Sequence, residues 1–325
     1  MPFSKHTAPI GEIKYTSQSR QTLEIDRTGV LTYLKVQVDF TVTSGTTGPS
    51  TPLFLTLARL LERVEVVING RDTTYNMTGA YLAARAIYEQ GKSPYGLTAT
   101  VVTTGSTTVT NYSVVIPIPF TLPRSANPLL CALPAERLGQ ISLAVTWGNS
   151  DASGLFATPN SAAVSAVTCK VEAEYLLGAS PDQVFLARVL DMQTEEVTAT
   201  TSNKQVVIDT GTGLRYRSLY LISTRDNVAV NDIINEINFE SGTQVFQKRS
   251  NVFLQAENQR IFQQDAPQTG VYALTTEMFG LSEMWLNSSR DVLPADLRLT
   301  LDVTKGSGTT QNIDILRESV RPFKR

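Results

Sequence analysis

Apolar and polar residues alternate with a period of two along most of this chain. The pattern is plain in "LTYLKVQVDFTV" (31–42), "YSVVIPIPF" (112–120), "TCKVEAEYLL" (168–177), "SLYLIST" (218–224) and "LRLTLDVT" (297–304). Each run is short and rich in Val, Ile, Thr and aromatics, the composition of strands with one face buried. Gly-, Ser-, Asn- and Pro-rich turns such as "TSGTTGPST" and "WGNSDASG" separate them. Three stretches depart from the pattern. In "TGAYLAARAIYEQG", Thr78 can cap a helix, Tyr81, Ala84 and Tyr88 share one face and Gly91 can end it. "SNVFLQAENQR" offers Ser250 as a second cap, with Phe253 and Leu254 where the first helix has Tyr81 and Leu82. "SPDQVFLARVLDM" places Ser180 at an N-cap and Pro181 at the first helical position, with Phe185, Val189 and Met192 at helical spacing, and predicts a third short helix.

The order of these segments repeats. "LEIDRTG" and "VVIDTGTG" each end a strand in an Asp–Gly turn, and each is followed by a strand and turn that feed a capped helix. A strand ending in Phe follows, at Phe120 and at Phe279. Then "LPAERLGQISLAVTWG", from Leu133, returns as "LPADLRLTLDVTKG", from Leu293. The interval from Phe to Leu is 13 residues in one copy and 14 in the other. Ordered landmarks at near-equal spacing indicate duplication. The copies differ where loops lengthen at little entropic cost: the first carries "WGNSDASGLFATPNSAAVSA" where the second has "KGSGTTQ". That loop is where contacts peculiar to one copy are expected.

Each copy supplies about eight strands, which suits an eight-stranded jelly-roll sandwich. The expected architecture is all-β: two tandem jelly rolls with short inserted helices. An N-terminal arm takes residues 1–20, the first jelly roll 21–179, a connector with a short helix 180–204, and the second jelly roll with a C-terminal tail 205–325.

Composition narrows the function. Charged residues are 18% of the 325, below the usual share of about 25%, so much of the surface is expected to meet other protein. The net charge of −2, with no long basic block, disfavours a sequence-specific or coating role on nucleic acid. With no apolar leader and no run of about 18 apolar residues, a signal peptide and a membrane span are not expected, and the chain is expected to be made in a cytoplasm. His6 is the only histidine and falls in the expected flexible arm, which leaves no imidazole for Ser–His or Cys–His catalysis. Cys131 and Cys169 lack metal-ligand spacing and are expected as buried thiols.

Other chemistry is weak. Glu195 with Glu196, or Asp291 with Asp296, could serve a glycosidase, but solvated or capping acids are commoner among 30. "DNVAVND" (226–232) gathers oxygen ligands without the alternation of a calcium loop, and an Asx-stabilised turn explains it. "VINGRDT" is explained by an Asn–Gly hairpin turn. Trp147, Trp285 and the tyrosines could form a sugar-binding platform, so a glycan-binding tandem sandwich is the competing function; core or interface packing is the simpler role. No catalytic residue, cofactor or metal is expected.

"ERVEVVINGRDTTYNMTGAYLAARAIYEQGK", "GASPDQVFLARVLDMQ" and "GLRYRSLYLISTRDNVAVNDIINEINFESGTQVFQK" together resemble the first jelly roll, connector and second jelly roll of a known family. It is the double jelly-roll major capsid proteins of icosahedral viruses, the lineage of adenovirus hexon, tectiviruses and corticoviruses; the resemblance is closest to corticovirus-like phages with an internal membrane. The resemblance covers about a third of the chain. It implies a homotrimer forming a pseudo-hexagonal tile in the virion shell, with neighbouring capsomers and minor or vertex proteins as partners and no enzyme activity. Both ends of the chain are net positive, through Lys5, Lys14 and Arg20 at one end and Arg317, Arg321, Lys324 and Arg325 at the other. In the family the termini lie at the inner base, which implies that Lys5, Lys14, Arg20, Arg321, Lys324 and Arg325 face an internal lipid membrane.

Overall fold

The computed structural model describes residues 4–45, 50–101, 107–122, 125, 127–184, 186–264, 267–276 and 285–323. The chain divides into two compact units, Met1–Arg188 with Pro322–Arg325, and Val189–Arg321.

In the first unit the strands are β1 (Ser4–Glu12), β2 (Arg20–Glu24), β3 (Val30–Thr43), β4 (Thr51–Pro52), β5 (Leu61–Ile68), β6 (Asp72–Met77), β7 (Val109–Pro119), β8 (Ile141–Trp147), β9 (Phe156–Thr158) and β10 (Ala163–Leu177). Helix α1 (Gly79–Gln90) lies between β6 and β7. One sheet runs β1-β10-β3-β7 and the other contains β2-β8-β5-β6. The alternation read from the sequence is what builds this sandwich. Along β3, Leu34, Val36, Val38, Phe40 and Val42 are buried and the residues between them are partly exposed. At the β5–β6 hairpin both Asn69 (φ 55°) and Gly70 (φ 71°) are left-handed, as a two-residue turn matched to strand twist requires. The Asn69 carboxamide oxygen also accepts from the Gly139 N–H at 2.7 Å, tying this turn to the loop before β8.

The second unit takes β11 (Leu186–Glu196) from Val189 onward, then β12 (Thr201–Asp209), β13 (Thr212–Arg225), β14 (Val228–Ala229), β15 (Ile234–Ser241), β16 (Gln244–Ser250), helix α2 (Asn251–Phe262), β17 (Val271–Thr275), β18 (Leu286–Ser289), β19 (Leu297–Val303) and β20 (Gln311–Pro322). One of its sheets runs β12-β19-β15-β16; in the other, β20 lies between β11 and β13, and β17 and β18 pair with β13. Val206, Ile208, Leu219, Leu221, Ile237, Leu299 and Ile315 meet in its core.

The two units share one topology. β2-β8-β5-β6 corresponds to β12-β19-β15-β16, and β1-β10-β3-β7 to β11-β20-β13 with β17 and β18. The Leu-Pro-Ala motif precedes β8 in one and β19 in the other, and Leu133 and Leu293 are both buried. Asp209 ends β12, and its carboxylate accepts from the Thr212 N–H and hydroxyl at 3.3 and 2.7 Å, which makes the predicted Asp–Gly turn. The Phe279 landmark lies outside the described residues; Phe120 is buried.

Two expectations are corrected. The third helix is a single 3₁₀ turn, Pro181–Gln183, capped by the Ser180 hydroxyl as predicted, and the chain then enters strand β11. A short apolar run is ambiguous between periods, and pairing with β20 decides for the strand. Val189 and Met192 are therefore strand residues; Phe185 lies outside the described residues. The N-terminal segment is likewise no flexible arm from Ser4 on: Ser4–Glu12 pairs antiparallel with β10, with His6 opposite Tyr175. Its largely exposed side chains hid it, because an edge strand is held by backbone bonds and tolerates Pro9, which sits at a bulge. β1 and β11 thus hold the same place in their units, and the repeat begins before the first landmark seen in the sequence.

Candidate assembly surface

The clefts among the described residues, such as the one lined by Arg59, Glu62, Thr78 and Asn149, assemble no catalytic set, so the surface itself is taken as the candidate site, beginning with the two helices. They are built alike. The Thr78 hydroxyl accepts from the Tyr81 N–H at 3.2 Å, and the Ser250 hydroxyl from the Phe253 N–H at 3.4 Å. Each helix runs 12 residues and ends on a left-handed residue, Gly91 or Gln263.

Their surroundings differ. In α1 the predicted face of Tyr81, Ala84 and Tyr88 is buried, and so is nearly every other residue. The long loop after β8 supplies β9, which pairs with β4, and the Leu53 N–H donates to the Leu155 carbonyl at 3.0 Å. Beside this flap Phe54 packs on Tyr81, ring centroids 6.4 Å apart. Aligning the caps Thr78 and Ser250 places Val252 and Phe253 of α2 where α1 has Ala80 and Tyr81, and they are 69% and 73% exposed. Leu254, Asn258 and Phe262 anchor the inner face of α2. Both ends of the Asn258 carboxamide are used: its N–H donates to the Ala273 carbonyl at 2.7 Å and its oxygen accepts from the Ala273 N–H at 2.8 Å. Beside the outer face, Phe253 shares a shallow groove with Glu236, Lys248, Arg249, Glu257 and Arg260.

Two buried charge groups were not foreseen from the sequence. Glu89 of α1 receives Arg85 at 2.6 Å and also pairs with Arg188, whose guanidinium donates to the Thr121 carbonyl at 2.9 Å. In the second unit Arg217 donates to both oxygens of Glu318 at 2.9 Å, with the Ser218 hydroxyl at 3.1 Å. The one available signal was an Arg and a Glu four apart in an otherwise apolar helix. Fully buried ion pairs of this kind fix geometry more than they add stability.

The predicted basic terminal residues are separated. Lys5, on β1, pairs with Glu174 at 2.7 Å, and Arg20, on β2 in the opposite sheet, with Glu65 at 2.8 Å. Burial would raise the Glu174 carboxyl, but hydrogen bonds from Lys35 and Lys5 outweigh it and hold it below the usual carboxylate range. Lys14 is exposed, and its carbonyl accepts from the Trp147 indole at 3.0 Å. Arg321 is half-buried at the end of β20; Lys324 and Arg325 lie outside the described residues. Arg317 is held by Asp191 at 2.7 Å.

The remaining candidates have structural roles. Asp226 accepts from the Thr309 and Thr310 N–H groups at 3.1 and 2.9 Å, and Asp232 binds Arg225 through both oxygens at 2.8 Å, so this turn is closed by its own chain. Asp296 pairs with Arg290, and Glu195 with Lys204 at 3.4 Å. Among the described residues no three His, Cys, Asp or Glu side chains come together as metal ligands. Cys131 and Cys169 are buried thiols, and burial pushes Cys169 up to about 12. Trp147 is fully buried and Trp285 lies under the Arg215 guanidinium, 5.7 Å from its ring centre, so the tryptophans form no platform.

No protein-family model matches this sequence, and none of the curated proteins does. Solved structures do. The fold is similar to that of the major capsid protein of Sulfolobus turreted icosahedral virus, with a TM-score of 0.74 and 16% identity over 98% of this chain and 96% of that one. The chain is a double jelly roll. The major capsid protein P2 of bacteriophage PM2 has the same double jelly roll, with a TM-score of 0.67 and 11% identity over 99% of both chains. The Faustovirus major capsid protein matches at a TM-score of 0.62, with 10% identity over 99% of this chain and 90% of that one. The likeness to the double jelly roll therefore runs the length of this chain.

Proposed function

We propose that this double jelly roll is the major capsid protein of an icosahedral virus, and that it acts by burying its surfaces against copies of itself. The observation that carries this reading is the end-to-end match of a duplicated sandwich to capsid proteins from unrelated-looking sequences. A low share of charged residues and the bare apolar face of α2 support it. In this reading the chain forms homotrimers with a pseudo-hexagonal outline, meets neighbouring capsomers and minor or vertex proteins in the virion, assembles in the host cytoplasm, and catalyses nothing. A repeated heterologous contact that closes a ring is the symmetry such a tile needs. The test is the mass of the purified protein by light scattering: three times the chain mass is expected, and a stable monomer would overturn the reading.

The basic termini are proposed to face an anionic lipid surface, each cation that reaches it contributing about 1 kcal/mol. The test changes Lys14, Arg321, Lys324 and Arg325, and leaves Lys5 and Arg20 in place because their ion pairs also hold β1 and β2. Flotation with vesicles containing phosphatidylserine tests this. Binding should be lost when these four are neutralised together, and equal binding by parent and variant would reject the membrane role.

A further inference from the structure

The duplication supplies an internal control for which surfaces are meant to be covered. In the first unit the N-terminal face of the helix is hidden: Ala80 and Tyr81 are 1% and 7% exposed, and Phe54 lies against Tyr81. The cover is the segment just after β4, Phe54 with the turn Thr56–Ala58, and β9, which pairs with β4, comes from the long loop that only the first copy possesses. In the second unit the short "KGSGTTQ" loop replaces it, and Val252 and Phe253 stand open with Ala256 on the same face. Two large apolar side chains at successive positions, more than two-thirds exposed, cost solubility unless something covers them.

We infer that the Val252–Phe253 face of α2 is a contact surface for a second copy of this chain. The inference rests on the capsid reading and names the residues through which that assembly is made. The occupant follows from the charges around the face. Glu236 and Glu257 are interspersed with Lys248, Arg249 and Arg260, and several of these already pair across the rim: Lys248 with Glu236 at 3.3 Å and Arg249 with Glu257 at 3.5 Å. A rim that mixes two acids with three bases does not select an anionic lipid or nucleic acid, which would want cations alone. It does suit a near-neutral protein surface, and this chain, at −2 over 325 residues, presents one. An apolar centre within a polar rim is also the usual anatomy of a protein interface.

Both outer side chains can be changed without touching the core, because α2 is held to its unit by Leu254, Asn258 and Phe262. Phe253→Asp and Val252→Asp should leave the circular dichroism spectrum and melting temperature of the isolated chain as in the parent. They should weaken self-association by about thirtyfold or more, the scale of an interface hot spot. Tyr95→Asp, which removes an equally exposed aromatic of the first unit, is the comparison for a general effect of added charge. A second readout uses Phe253→Cys. The native thiols are buried, so maleimide labels position 253 alone, quickly in the dissociated chain and slowly in the assembly. An assembled parent whose α2 variants assemble equally well, with position 253 labelled at the same rate in both states, overturns this inference and leaves the capsid reading standing. A monomeric parent overturns both.

Discussion

Helices α1 and α2 begin on the same kind of cap, run for the same 12 residues and follow the same strand, yet one is enclosed and the other lies at the surface. The difference is written in the side chains facing away from each sandwich. Helix α1 carries Ala80, Ala83 and Ala84, and it opens on Gly79, where an added Cβ would come within 2.4 Å of the Ala58 carbonyl and 2.7 Å of the Leu61 Cβ. Small residues let neighbouring backbone close over the helix. Helix α2 has Asn251 at the place of Gly79 and turns Gln255, Glu257 and Arg260 outward. Duplication preserved the scaffold, and the loop that covers one helix left the other available for contact.

The sharpest way to break this comparison is to remove the charge each helix holds. Glu89→Ala strands Arg85 and Arg188 in the interior, which costs about 3–5 kcal/mol for a broken buried pair. Glu257→Ala touches only partly exposed partners and should cost less than about 1 kcal/mol. Urea unfolding of the two variants side by side reads the contrast, and equal losses would mean that α1 is not enclosed as described.

Next in size is the inner face of α2. Leu254→Ala empties a fully buried site and should cost about 2–5 kcal/mol, while Val252→Ala, two positions away, should change the stability of the isolated chain by less than about 0.5 kcal/mol. Thermal melting of the dissociated protein compares them, and a large loss at Val252 would mean that this residue packs within its own chain.

The caps should be equal where the faces are not. Thr78→Ala and Ser250→Ala each remove one hydroxyl that accepts a helix N–H, a loss of about 1 kcal/mol apiece. Capping acts on the first turn, whatever covers the rest of the helix. Amide exchange in the first turns of α1 and α2 should therefore accelerate to similar extents in the two variants.

These contrasts also mark what the sequence made legible. Strand alternation, the two caps, the Asn69–Gly70 turn and the Leu-Pro-Ala repeat are local signals, and the structure carries each of them. β1 and β11 were missed for a physical reason common to both. β1 shows mostly exposed side chains because its order comes from backbone pairing with β10, and β11 follows a true capped turn whose helical spacing did not continue. The buried groups around Glu89 and Glu318 join residues 99 and 101 positions apart, and no local pattern reports such distances. The openness of Val252 and Phe253 depends on a loop that is absent, which only comparison of the two copies reveals.

The smallest effect expected distinguishes the two units by pH. In the first, Glu174 of β10 takes hydrogen bonds from Lys35 and Lys5, and its carboxyl is held below the ordinary value of 4.5. A lowered folded value means stability that is full above pH 4.5 and is lost as the pH falls through the folded value. Lys35 is raised above 10.5, first by its hydrogen bond to Glu174, so its contribution is full below 10.5 and is lost as the pH rises through the folded value. The advantage of the parent over Glu174→Gln should therefore form a plateau at neutral pH, of less than about 1 kcal/mol for so exposed a pair, and decline at both ends. The second unit places Arg217 and Glu318 between the corresponding strands β13 and β20, and a guanidinium keeps its proton where an ammonium gives it up. Denaturant midpoints of Glu174→Gln and the parent, measured from acid to alkaline pH, should converge at both extremes; a difference that persists at high pH would show that Lys35 contributes nothing through its charge.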